Sequence, residues 1–384
     1  MARTVRVPVK PEMIRWARER AGLAVDDLRR AFPKLEAWER GEVQPTLRQL
    51  EDFVRRVRVP LGYLFLESPP EEPLPIPDFR TISGLPHRPS PDLLDTIYLV
   101  QQRQDWYREY LQIQGAEPLP FVGSATLQDA PEEVAARIRH TLGINLDERR
   151  ALRTWTEALR YLTEKAEAVG ILVISSGIVG TNTRRKLDPE EFRGFTLVDT
   201  LAPVIFINAA DTVAGRIFTL AHELAHIWLG QSGVSNPQIH LFPDETVERW
   251  CNRAAAEVLV PRAALLEAHR PARPPLEEAQ RLARLFKVST LVILRRLYEV
   301  GRLSEETFWQ AYREESARLR AMARRTGTGG DFYRNLFARV SRPLVEAVVI
   351  STLEGYTLYR DAYRLLGIRR ADTFQKLTRA LGGA

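Results

Sequence analysis

The stretch Thr219-Leu220-Ala221-His222-Glu223-Leu224-Ala225-His226-Ile227-Trp228 holds two histidines four residues apart, with a glutamate directly after the first. In an α-helix, positions i and i+4 lie about 40° apart around the axis, so both imidazoles leave one face and can grip a single Zn²⁺ at about 2.0–2.1 Å. Glu223, offset by one position, can reach a water at that metal and take its proton. A catalytic zinc needs a third protein ligand and one open position. The segment from Glu248 to Val260 reads as a second helix, stopped by Pro261. Glu248 falls in its first turn, with Cys251 and Asn252 on the same face at i+3 and i+4. A carboxylate from a second helix completes a His₂Glu site, so the expected ligands are His222, His226 and Glu248, with Glu223 as general base. Asp244 and Glu245, in the loop after Pro243, are alternative third ligands, although they suit the N-terminus of the following helix as charges. His240 is a rival ligand or a hydrogen-bond donor to the transition state. Cys251, the only cysteine, reads first as a small buried apolar residue, and the sharper alternative is a redox-sensitive thiolate close to the metal.

These side chains must be carried by rigid elements. Ile217, Leu220, Leu224, Ile227 and Trp228 give the zinc helix a buried side, and Gly230 is placed to stop it. Ahead of it, a helix over 155–168 and strand-like runs at Ile171–Ile174, Phe195–Val198 and Val204–Ile207 predict a small β-sheet. Val204–Asn208 is the candidate edge strand, where an extended peptide could add by main-chain hydrogen bonds beside the metal. Helical spacing recurs over 92–115 and 131–142, and residues 331–384 read as mostly amphipathic helix. Glu277 to Leu297 has helix-turn-helix spacing, with Ser289 capping its second helix. The fold class expected is α+β and mainly helical.

Composition sets the outer limits. A chain of 384 residues suggests two or three domains, and 45% hydrophobic with 27% charged residues is ordinary for a soluble protein. There is no signal-peptide pattern and no apolar run long enough to span a bilayer, so a cytoplasmic location with no membrane partner is expected. One cysteine excludes an internal disulfide framework. A net charge of +6 permits nucleic-acid binding without requiring it.

The H-E-L-A-H helix, followed by E-R-W-C-N-R-A-A-A-E-V-L-V-P from Glu248 to Pro261, resembles the ImmA/IrrE family of zinc metallopeptidases, in which H-E-x-x-H precedes E-x-x-x-N-x-x-A-A-x-x-L-x-P. The resemblance implies Zn²⁺ on His222, His226 and Glu248, Glu223 as base, and a regulatory endopeptidase whose protein substrate is a repressor. Ala254 stands where a common family variant has Phe, a change of packing more than chemistry. Upstream, Trp16 to Leu23 and the run Leu35 to Thr46, with its W-E-x-G-x-x-x-P tail, resemble the Xre/Cro-type helix-turn-helix of phage repressors. Gly22 to Trp38 is about four residues short for such a domain, roughly one helical turn at the start of the recognition helix, which weakens the expectation of base-specific readout. Met1 to Ser68 carries fourteen Lys or Arg against ten Asp or Glu, enough for weak phosphate contact.

The expected organisation is a helix-turn-helix domain at 1–68, a Pro-rich linker at 69–90 and a helical connecting region at 91–150. A zincin-like core follows at 151–270, and a helical C-terminal region at 271–384 contains the second helix-turn-helix-like segment. DNA contact is expected, if anywhere, through 1–68 or 277–300. The larger family members of this architecture imply a second reading: a DNA-binding regulator or antitoxin paired with a PIN-like nuclease toxin, its zinc site structural or vestigial.

Overall fold

The computed structural model describes residues 5–79, 89–236, 246–323 and 332–382. The chain divides into two compact units, Met1–Pro75 with Pro86–Asp95, and Ile76–Leu85 with Thr96–Ala384. In the first unit, helices α1 (Pro11–Arg20), α2 (Val25–Arg29), α3 (Leu35–Glu39) and α4 (Leu47–Val57) precede a 3₁₀ turn at Leu61–Phe65. Pro11 opens α1, where its missing N–H costs nothing, and Thr46 with Gln49 forms a capping box on α4. Met13, Leu28, Trp38 and Phe53 form the small core, with Phe32 and Phe53 edge-to-face at 5.6 Å. α2 and α3 have five residues each.

Next along the chain come α5 (Pro91–Ile113), α6 (Pro131–Thr141), α7 (Leu146–Ala151) and α8 (Trp155–Ala168). Thr154 and Glu157 cap α8 reciprocally. The strands β1 (Leu172–Ser176), β2 (Gly194–Leu197), β3 (Val204–Asn208) and β4 (Gly233–Ser235) form one sheet in the order β1-β3-β2-β4. β1 runs parallel to β3, whereas β2 is antiparallel to both β3 and β4. This is the mainly helical α+β architecture that the sequence pattern predicts, its small sheet mixed and four-stranded where three strands are expected.

One expectation fails here. Val204–Asn208 is not an edge: β3 is hydrogen-bonded on both sides and all five of its residues are buried. The unbroken apolar run Val204-Ile205-Phe206-Ile207 is what a strand covered on both faces needs, whereas a strand with one wet face alternates. The sheet instead ends at β1 and β4.

The central helix α9 (Val213–Leu229) crosses the sheet and packs also against α6, α8 and α10 (Thr246–Leu259). Thr212 caps its start, and Gly230 ends it at φ 70°, a left-handed conformation that suits glycine. Gly123 and Ala125 donate to the carbonyls of Ile227 and Trp228, while Phe121 stacks on Trp228 at 4.6 Å, so the C-terminal end is pinned. The apolar stripe seen in the sequence understates this burial. Every residue from Ile217 to Leu229 is buried, because helices and sheet enclose α9 on all sides.

Beyond α10 lie α11 (Arg262–Ala268), α12 (Pro275–Phe286), α13 (Thr290–Glu299) and α14 (Glu305–Ala323). The final helices are α15 (Phe332–Val340), α16 (Arg342–Leu353), α17 (Tyr359–Leu366) and α18 (Ala371–Gly382). Ser289 does cap α13, accepting from Val292 N–H. Along α13, however, only Glu299 is exposed, because the helix packs between α12 and α14. Arg149, itself buried, donates to the carbonyls of Leu259 and Phe286, the last residues of α10 and α12. It answers the negative ends of two helices with one cation, and thereby fixes the helix that carries Glu248.

Candidate metal centre

One turn of α9 separates His222 from His226, and the two Nε2 atoms stand 3.1 Å apart. From the facing first turn of α10, Glu248 closes the triangle, its carboxylate 3.3 Å from His222 Nε2 and 3.0 Å from His226 Nε2. All three side chains are buried, and one ligand atom from each falls within a 4.8 Å cluster. Asn252, one turn after Glu248, lies with its Oδ1 3.1 Å from His222 Nδ1. An imidazole that donates there leaves its Nε2 lone pair for a metal. The sequence reading placed Asn252 on the face of Glu248 but gave it no task.

Glu223 points from the same helix toward the sheet. Its Oε2 accepts from Thr196 Oγ1 on β2 at 2.7 Å, while its Oε1 is buried and makes no hydrogen bond among the described residues. The close approach of β2 depends on Gly194. A Cβ there would lie 2.6 Å from Thr219 Cγ2 and 3.0 Å from Glu223 Oε1. Neither Gly194 nor Thr196 stands out in the sequence. The only local signal is a glycine opening a strand next to a β-branched hydroxyl residue.

The two carboxylates are driven apart electrostatically. Burial raises the Glu223 carboxyl to about 7, against the opposing charge of His226 and the Thr196 hydrogen bond. Burial also acts upward on Glu248, but the His222 charge and hydrogen bonds to both imidazoles outweigh it and hold the group at about 2. Such a split suits one carboxylate that stays anionic as a ligand and one that exchanges protons near neutrality. Two ring nitrogens and a carboxylate held in contact, with a bare buried oxygen beside them, form a donor set that fits zinc.

The remaining candidates divide. Cys251 is fully buried, and burial, with the charges of Glu248 and Glu223 adding to it, pushes its thiol well above the ordinary range. It does not join the ligand cluster. His240, Asp244 and Glu245 lie outside the described residues. β4 provides what sequence reasoning missed altogether: Ser235 Oγ stands 3.5 Å from His226 Nε2, which puts the sheet's edge strand against the histidines. A three-residue strand containing glycine leaves no periodicity to find.

Comparison with known families agrees with this geometry. Residues 166–298 match the IrrE N-terminal-like domain of the Peptidase_M78 family, which makes this stretch a metallopeptidase-type domain. It spans β1 to α13 and contains His222, Glu223, His226 and Glu248. Residues 340–380 match a domain of unknown function (DUF8813). A search of curated proteins finds no match. No helix among the described residues is long and apolar enough to cross a membrane.

Proposed function

We propose that the protein is a zinc-dependent endopeptidase that acts as a regulator, with a transcriptional repressor or another regulatory protein as its substrate. The observation that carries this reading is the convergence of His222 Nε2, His226 Nε2 and the Glu248 carboxylate on one point, with the bare Oε1 of Glu223 alongside. His222, His226 and Glu248 would hold the zinc, which when bound supplies Lewis-acid polarisation of the scissile carbonyl and a more acidic water. Glu223 takes the proton of the attacking water and returns it to the leaving amine. In the metal-free protein, burial raises this carboxyl well above its ordinary value. Thr196 holds one oxygen of Glu223, and the other makes no hydrogen bond among the described residues. Asn252 fixes the tautomer of His222.

In this reading the N-terminal unit recruits the substrate or the DNA on which the substrate sits. Arg29 and Arg40 on either side of α3 are engaged by Glu36 and Glu42, and Leu35, Trp38 and Glu39 of α3 face the core. The test is a proteome comparison of cells carrying the wild-type protein or Glu223→Gln. One or a few regulatory proteins shortened only in the wild type support the proposal, and identical proteomes under every inducing stress refute it.

A further inference from the structure

The outer edge of β4 is already occupied, by the chain itself. Pro77, Asp78 and Phe79 run parallel to it, with Asp78 paired to Val234. Val234 N–H donates to Pro77 O at 2.9 Å, and Phe79 N–H donates to Val234 O at 3.0 Å. The outward-pointing amide and carbonyl of Val234 are thus both taken. The ring of Phe79 stacks on the imidazole of His226, centroids 5.5 Å apart and planes at 20°. Gly233 makes room for it, since a Cβ at that position would lie 2.2 Å from Phe79 Cε2. The seat therefore has a strand edge as one wall, a candidate ligand imidazole as another, and a floor shaped for a flat ring.

From this we infer that the Gly233–His226 seat on β4 is a subsite for an extended peptide bearing an aromatic side chain, and that Pro77–Phe79 fills it as a displaceable internal occupant. The inference rests on the endopeptidase reading and names both its substrate class and its restraint. The segment lies open to solvent: Pro77 and Asp78 are exposed, Phe79 is half-buried, and two main-chain hydrogen bonds join it to β4. Two such hydrogen bonds contribute little net, since each replaces a bond to water. Tethering makes up the difference, because a covalently linked segment competes at an effective concentration on the order of millimolar. A substrate must therefore outbid a local occupant, which favours partners already held elsewhere on the protein.

The test measures binding without catalysis, in full-length Glu223→Gln protein, so that its outcome is independent of whether the protein hydrolyses anything. The probe is a fluorescein-labelled peptide, Leu-Pro-Ile-Pro-Asp-Phe, matching residues 74–79. With Phe79→Ala added, saturable binding is expected at least about tenfold tighter than with the native segment, because the competing occupant has lost its ring. A probe ending in Ala should bind at least about tenfold more weakly than the Phe probe. Gly233→Ala in the Phe79→Ala background, where no internal ring is displaced, should abolish binding of the Phe probe. Equal affinity with and without Phe79, equal affinity for the two probes, or no saturable binding by folded Phe79→Ala protein each overturns the inference. Hydrogen exchange in the unmutated chain gives a second measurement that needs no variant. The Phe79 amide should exchange at least about a hundredfold faster than that of Phe206 in mid-sheet, and equal rates would make the segment a permanent fifth strand and sink the proposal. A failed proteome comparison alongside positive peptide binding would discard the peptidase and keep the seat.

Discussion

Replacing Glu223 by Gln should change how the stability of the metal-free protein depends on pH. Glu223 is buried beside His226, Thr196 and Ser235, and its folded-state value of about 7 stands well above the ordinary 4.5. The folded protein therefore holds a proton on this group over a range in which the unfolded chain has released it. The resulting stability is fully present below pH 4.5 and is lost as pH rises through about 7. At one pH unit per 1.36 kcal/mol, and allowing for partial ionisation at both ends, the wild type should lose roughly 2–3 kcal/mol between about pH 5 and pH 8 from this group. The neutral amide cannot titrate. Any cost of burying its NH₂ group is independent of pH and cancels when the two pH values are compared.

The assay is urea unfolding of chelator-treated wild type and Glu223→Gln at several pH values, followed by a probe of the zinc domain such as tryptophan fluorescence. The gap between the two curves should widen in favour of the variant as pH rises, equivalent to about 5–10 °C in Tm for a domain of this size. Glu248 works in the opposite sense. Held at about 2, it contributes stability above pH 4.5 that is lost only as pH falls through about 2, outside the tested window. Added Zn²⁺ should shrink the difference, because a dication beside Glu223 favours its anion. Parallel curves for the two proteins between pH 5 and pH 8 would refute the claim that the fold holds this carboxyl protonated.

Purified protein should carry about one zinc per chain, with His222→Ala, His226→Ala and Glu248→Ala each lowering occupancy and Glu223→Gln retaining it; normal zinc in Glu248→Ala by elemental analysis would move the third ligand elsewhere. Against a confirmed protein substrate, Glu223→Gln should bind but cleave at least about a hundredfold more slowly in a single-turnover gel assay. Cys251→Ala should match the wild type in zinc affinity and in response to peroxide, since a buried thiol held above its usual range supplies little thiolate; a peroxide effect confined to the wild type would reverse this. Any DNA binding should fall steeply with salt, show little sequence preference in gel shifts and vanish on deletion of residues 1–68. High specificity at high salt would contradict the short α3 as the reason.

The sequence carried the chemistry of the centre further than its architecture, for a physical reason. His222, Glu223, His226 and Glu248 sit on helices, where spacing along the chain fixes direction in space, so their roles could be proposed from position alone. What surrounds them comes from strands and loops brought in by tertiary packing, and no local pattern marks it. Val204–Asn208 shows the limit: its place before the zinc helix suggests a peptide-binding edge, but its continuous apolarity signals cover on both faces. The edge beside the histidines, Gly233–Ser235, is short, mixed in character and opened by a glycine, because it must yield space to a ring and stand close to His226. The residues that make a strand useful for docking are thus the ones that remove its strand signature. The same holds for the proline-rich stretch before it, which composition marks only as linker, although Pro77 supplies a carbonyl and needs no N–H to do so. Proline on a sheet edge costs nothing where only its acceptor is used. A segment built this way can lie on β4 through Pro77 O and Phe79 N–H alone.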